Sequence, residues 1–283
     1  MTRPEPANRT TYWSDKTTPG VSLLHADFRT MNFRPHSHDA YVAVVTEIGG
    51  SVIRSRGDEF EVQDRMLMIF NPDEPHEGWL GGSGRWRYRS LYISKSATDL
   101  VAESLGLDRI PRFLSNGIAD QELCSAFLDM HRVLETGEDP GHTRESFLNA
   151  FCTLFRRHGD LRRPQADVPA DSTLLSRAVA QMEERYSEKL LLDDLAAEIG
   201  LTAFQLIALF KRCTGLTPHA YLVQIRLRAA CRMLREGTSI AETSFATGFY
   251  DQAAMTNQFR KTFAITPLQY TRAWARSHHT VRN

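Results

Sequence analysis

His36, His38 and His76 are the side chains of this sequence best suited to holding an ion or a polar ligand. His36-Ser37-His38 follows a proline and precedes an expected strand near Tyr41, and His76 closes Asn71-Pro72-Asp73-Glu74-Pro75-His76 at the end of another. Neutral imidazoles suit zinc, nickel, iron or copper. They serve equally to hydrogen-bond strand ends or to line a pocket for an organic effector. Cys124, Cys152, Cys213 and Cys231 lie far apart, without metal-site or disulfide-framework spacing. A second chemistry lies in the distribution of charge. The net charge is zero, which alone argues against a polyanionic partner, yet between Gly200 and Arg276 ten Lys or Arg stand against Glu236, Glu242 and Asp251. Cations gathered in this way can replace the counterions around phosphate.

The elements that would position these groups fall into two halves, as 283 residues suggest. Residues 21 to 93 alternate apolar and polar in short pieces, among them Tyr41 to Ile48, Ser51 to Arg56, Met66 to Phe70 and Trp86 to Ile93, broken by Gly49-Gly50, Gly57-Asp58 and Gly81-Gly82-Ser83-Gly84. Short strands separated by turn chemistry predict a sandwich or barrel. From about Asp120 the period changes, with Leu123, Phe127, Met130 and Leu134, then Phe147, Leu148, Phe151, Leu154 and Phe155, at three- and four-residue steps. These are two amphipathic helices, able to form a dimer seam or to pack on their own β domain. Arg162 to Asp171, with two prolines and no apolar period, reads as a linker. The N-terminus lacks the apolar stretch of a secretory signal, and no apolar run reaches the roughly 18 residues of a membrane helix. A soluble protein of the reducing cytoplasm, with no membrane partner, is expected.

The C-terminal half contains an internal duplication. Phe210-Lys211-Arg212 with Thr217-Pro218-His219-Ala220-Tyr221 repeats 49 residues later as Phe259-Arg260-Lys261 with Thr266-Pro267-Leu268-Gln269-Tyr270. Leu192 to Leu201 repeats as Ile240 to Phe249 at an offset of 48, so the second copy carries one extra residue after its glycine. Each copy reads as helix, glycine turn, helix, with Gly200 and Gly248 at positions suited to positive φ. Leu206, Leu209 and Phe210, and then Met255 and Phe259, mark the inner face of each second helix. The opposite face is left to read the major groove, as in a helix-turn-helix. Residues 219 to 235 form one helical pattern, about 25 Å long at 1.5 Å per residue, a rod that would space the two readers. A plain two-repeat helical bundle is the competing reading, and the cationic excess counts against it.

The ordered set Met182-Glu183-Glu184-Arg185-Tyr186, Leu195-Ala196-Ala197, Gly200-Leu201, Leu209-Phe210-Lys211-Arg212, Gly215-Leu216-Thr217-Pro218, Gly248-Phe249, Asp251-Gln252, Phe259-Arg260-Lys261 and Thr266-Pro267 with Tyr270 resembles the AraC/XylS family of bacterial transcription regulators over residues 173 to 274. The resemblance implies that Phe204, Gln205 and Ala208 in the first reader, and Gln252, Ala253, Thr256 and Asn257 in the second, face bases, with Lys211, Arg212, Arg260 and Lys261 suited to phosphates. Ala208 and Asn257 stand where members commonly place arginine. Alanine packs on thymine methyls and asparagine pairs bidentately with adenine, which implies an operator richer in A·T at those steps. Ala264 replaces the usual glycine.

Residues 20 to 95 resemble the cupin-type sensor of the same family. In cupins the His-x-His pair and a later histidine converge on a metal, although Val42 and Ala43 stand where the usual glutamate would be. The expected fold is α+β: a cupin-like barrel over 1–95, a helical extension with a candidate dimerisation role over 96–160, a linker at 161–171, a double helix-turn-helix domain over 172–276 and a tail at 277–283. The effector pocket is expected to be lined by His36, His38, Tyr41, His76, Trp86 and Tyr88, with Trp79 and Tyr92 as further wall candidates. No cofactor is required, a divalent metal on His36, His38 and His76 being the one candidate. The expected partners are double-stranded DNA, a small-molecule effector, RNA polymerase for an activator, and a second copy of the chain. The alternative readings are a cupin metalloenzyme, dioxygenase or isomerase, with an appended helical domain, and a protein-interaction module whose readers no longer bind DNA.

Overall fold

The computed structural model describes residues 8–136, 139–160 and 170–278. Ten strands form its first half: β1 (Asn8–Ser14), β2 (Val21–Phe28), β3 (Asn32–His36), β4 (Tyr41–Gly49), β5 (Ser51–Ser55), β6 (Asp58–Val62), β7 (Leu67–Phe70), β8 (His76–Leu80), β9 (Trp86–Ile93) and β10 (Gly117–Ile118). They make a six-stranded sheet, β1-β2-β9-β4-β7-β10, and a four-stranded sheet, β3-β8-β5-β6, antiparallel throughout.

The two-residue period of the strands sends alternate side chains into two different cores. Leu24, Ala26, Val42, Val44, Met68, Trp86 and Tyr88 join Ile53 and Val62 between the sheets. Their neighbours Leu23, Ala43, Val45, Leu67, Ile69 and Leu91 face the other way, onto α1 (Lys95–Leu105), α2 (Gln121–Thr136) and α3 (Pro140–His158). Those two long helices bury Leu123, Phe127, Met130, Phe147, Phe151, Leu154 and Phe155 against this sheet. The sheet therefore takes up the apolar stripe that had suggested a dimer seam. The segment after residue 95 is also no mere appendage, because β10 pairs with β7.

Two carboxylates, the buried Glu74 and the partly buried Glu47, tie the barrel together. Glu74, opposed by burial but held by Arg56, Asn116 and Asn71, is lowered to about 2. Glu47, bonded by His25 and Arg89, is also lowered to about 2. Because both folded values lie below the ordinary 4.5, their stabilisation is complete above that pH and is lost as pH falls towards 2. Melting curves recorded from neutral pH downward should show the midpoint dropping through this window. Glu74→Gln should lower the midpoint at neutral pH and flatten the acid slope.

The second half is helical: α4 (Ala170–Arg185), α5 (Leu192–Glu198), α6 (Ala203–Thr214), α7 (Pro218–Arg235), α8 (Ile240–Ala246), α9 (Gln252–Phe263) and α10 (Pro267–His278). The duplication is exact in register, since α5 and α8 start 48 residues apart and α6 and α9 start 49 apart. Gly200 and Gly248 have φ of +78° and +77°. A Cβ on Gly248 would also meet the Tyr186 carbonyl oxygen at 2.7 Å. Gly215 closes α6 at φ 71°, whereas α9 closes on Ala264 at φ 61°, a left-handed conformation that costs an L-residue about 1–2 kcal/mol. Most of the linker expected at 161–171, and the end of the tail, lie outside the described residues.

The two readers are anchored differently. Ala178, Met182, Leu195, Leu206, Leu209 and Phe210 close a core of the first reader's own, with Leu222 and Ile225 of α7. The other face of α7, through Val223, Leu227, Ala230 and Leu234, joins Met255, Phe259, Ile265 and Tyr270 in a core continuous with the interior of the barrel.

Candidate functional site

Each reader presents polar side chains opposite its buried stripe. On α9, Met255, Phe259 and Thr262 are buried, while Gln252, Ala253, Asn257 and Arg260 are exposed and Thr256 and Lys261 half-buried. On α6, Leu206, Leu209 and Phe210 are buried, Phe204 is 80% exposed, Gln205, Lys211 and Arg212 are exposed, and Ala208 is half-buried. The helices start at defined points. Thr202 accepts the Gln205 N–H while Gln205 Oε1 accepts the Thr202 N–H at 2.9 Å, so this glutamine caps its helix as well as facing outward. Asp251 accepts the Ala254 N–H at 2.6 Å. The extra residue of the second copy is Tyr250, 91% exposed, next to the Asp251 cap of α9. Lys211, Arg260 and Lys261 enter no ion pair among the described residues. Together these features make two cationic, outward-facing helical surfaces separated by the α7 rod.

In the barrel, His36, His38 and His76 converge, each offering a ring nitrogen within 4.8 Å of the others. His36 Nδ1 donates to the Arg34 carbonyl at 2.7 Å and His76 Nδ1 to the Glu74 carbonyl at 2.9 Å. The tautomer this selects leaves each Nε2 lone pair to accept a proton or bind a metal. Burial lowers all three imidazoles, His36 to about 3, and keeps them neutral. As a donor set they fit a divalent transition ion. Among the described residues no fourth His, Cys, Asp or Glu joins them.

The remaining members of the expected pocket do not make one. Tyr41 is turned away: its position in β4 shares a face with Ala43 and Val45, and its hydroxyl donates to the Pro111 carbonyl at 3.1 Å in the helix-covered core. Trp86 and Tyr88 do point inward, but they pack on each other with centroids 4.0 Å apart, and Trp86 Nε1 donates to Thr46 at 3.0 Å. They fill the interior, so only about 50 Å³ remains beside the histidines. Phe263, from the end of α9, closes that space, its ring 5.8 Å from His38. Trp79 lies outside, under Arg54.

A larger cavity, about 360 Å³, lies where the second reader meets the barrel. Tyr12, His38 and Tyr92 line it from the barrel, and Arg228, Cys231, Arg235, Tyr270 and Trp274 from the helices. Sequence reasoning missed it because it belongs to neither half alone. One signal was present: Gln224, Arg228, Cys231 and Arg235 fall on one stripe of α7, polar groups on a helix otherwise read as core.

The same architecture occurs in known proteins. A family profile described as an AraC-like ligand binding domain matches residues 18–151, and one described as a helix-turn-helix domain matches 195–273. The HTH-type transcriptional activator RhaS of Citrobacter koseri is 30% identical over 246 residues, spanning 83% of this chain and 86% of that one. The chain belongs to the AraC family. The uncharacterized HTH-type regulator YbfI of Bacillus subtilis is 27% identical over 224 residues, 79% of this chain and 81% of its own. ToxT of Vibrio cholerae, at 11% identity, superposes with a TM-score of 0.52 over 95% of this chain and 98% of that one, a likeness of fold alone. This AraC family member is thus a DNA-binding transcription regulator with a small-molecule sensor domain, not an enzyme. None of its described helices is long and apolar enough to cross a membrane.

Proposed function

We propose that α6 and α9 enter neighbouring major grooves of one duplex, with Phe204, Gln205 and Ala208 facing bases in the first and Gln252, Ala253, Thr256 and Asn257 in the second. Lys211, Arg212, Arg260 and Lys261 take phosphates, positioning the readers without specifying sequence. The observation that carries this reading is the matched exposure of these side chains on two helices of one duplicated unit. Selection of binding sites from a random library should return two half-sites about one turn apart. A·T pairs are expected opposite Ala208 and Asn257, because neither side chain offers the fork that recognises guanine. Conserved guanines opposite Ala208 would overturn this assignment. Binding should weaken steeply with salt, by nearly one power of salt concentration per phosphate contact.

The regulator works in the cytoplasm, and as an activator it would also meet RNA polymerase. A homodimer would have to use a surface other than the helix stripe buried on the sheet, for instance the outer face of α3, where Leu148 and Cys152 are half-buried. His36, His38 and His76 are the residues that would hold a divalent ion, which would supply a Lewis-acidic or structural centre. No step of DNA recognition depends on it.

A further inference from the structure

The glycines of the two reader turns share a conformation but not a setting. Both have positive φ, yet a Cβ on Gly200 would meet nothing within 4 Å, whereas one on Gly248 would strike the carbonyl oxygens of Tyr186 at 2.7 Å and Ser187 at 2.8 Å. The turn of the second reader is thus pressed against the chain leaving α4, which belongs to the first. Arg226 of α7 closes this junction. Its Nε donates to the Tyr186 carbonyl at 2.7 Å and a terminal nitrogen donates to the Glu188 carbonyl at 2.8 Å. The same nitrogen lies 3.0 Å from where a Gly248 Cβ would stand. No carboxylate pairs with this half-buried guanidinium among the described residues. The carbonyls at the C-terminal end of a helix, the negative end of its dipole, take its charge instead.

The readers have separate cores on different faces of α7. Leu222 and Ile225 serve the first, Val223 and Leu227 the second, and Arg226 stands at the seam between them. Burial of apolar surface is non-directional, so each core holds its reader to the rod more firmly than it fixes the twist between the two. A planar guanidinium bonded to two carbonyls of another element does fix it. We propose that Arg226 is a positioning residue for DNA recognition: by tying the end of α4 to the turn at Gly248 it sets the angle between α6 and α9, and with it the half-site separation that the protein accepts. The inference rests on the two-groove reading and adds the residue that fixes its geometry. With the angle held, engagement of one reader presents the other to its own half-site, an advantage of roughly 10²- to 10⁴-fold that disappears when the geometry forbids both.

Titration of the full chain against a set of duplexes tests this: the selected operator, versions with one or two base pairs added between the half-sites, and versions with either half-site scrambled. Each added pair turns the second half-site by about 35°. The unmodified chain should lose about tenfold or more at one added pair, as linkage between the sites fails. Arg226→Gln should bind the selected operator about tenfold more weakly, yet lose no more than about threefold at the added pair. On either single half-site it should stay within about twofold of the unmodified chain, which also establishes that each reader is folded. Arg226→Lys, able to hold one carbonyl, should fall between. A loss of the same size on single half-sites and on the full operator, or an undiminished spacing preference in Arg226→Gln, overturns the proposal. If the unmodified chain binds single and paired half-sites equally, the two-groove reading itself falls. If the unmodified chain discriminates spacing and Arg226→Gln discriminates it equally, only the role of Arg226 falls. Melting curves of both variants separate a loosened junction from a loosened fold.

Discussion

Asn257→Ala should weaken binding to the selected operator by about 1–3 kcal/mol, roughly 5- to 150-fold, and relax the preference at a single base pair. Asn257 is exposed near the middle of α9, on the side opposite Met255 and Phe259. Its amide can both donate to and accept from the edge of one adenine, so its loss should be felt at one step of the operator. Arg260→Ala, one turn further along, makes the contrast. It should weaken all sequences alike and reduce the salt slope by about one, as loss of a phosphate contact does. Affinity measured on the selected operator, on its single-base variants and across salt concentrations distinguishes the two. Unchanged affinity and unchanged base preference in Asn257→Ala would mean that this face of α9 does not read DNA.

Phe259→Ala should cost about 3–5 kcal/mol of stability, the range for deleting a buried phenyl group. The ring is fully buried, packed on Phe263 at 4.6 Å and on Tyr270 at 5.5 Å, in the core that runs from the second reader into the barrel. That core joins both domains, so the loss should appear in barrel and helix signals together during urea unfolding. Phe204→Ala, at an 80% exposed position on the first reader, should change stability by no more than about 0.5 kcal/mol. If the Phe259→Ala protein lost helix signal while its barrel unfolded unchanged, the continuity of that core would carry no energy.

What was legible in the chain was whatever is local or periodic. The copies of the reader could be aligned to the residue because caps, glycines and buried stripes recur at fixed offsets, and the structure keeps that register down to the inserted Tyr250. The three histidines were legible because His36 ends β3 after Pro35, His38 follows it by two residues, and His76 opens β8 after the turn holding Pro72 and Pro75. Tyr41 was misplaced for a reason of parity: a strand covered on both sides buries both its faces, so alternation alone does not say which face a tyrosine shares with the histidines. The helix stripe of Leu123 to Phe155 suited a partner chain or the chain's own sheet equally well, and only the tertiary structure decides between them. The boundary cavity depends on segments far apart in sequence, Tyr12 and Tyr270 among them, and no window along the chain contains both.

The contrast between a self-contained first reader and a second one rooted in the barrel has a consequence for how a signal would be divided. A change at the boundary is felt directly by α9 and α10, whose core is continuous with the barrel, and reaches α6 along the rod and through the single close approach of Gly215 to Pro75. The half-site under α6 would then serve as a fixed tether, while the one under α9 responds to the cell's chemistry. Operator changes in these two places should alter, respectively, how firmly the protein stays and how strongly it answers.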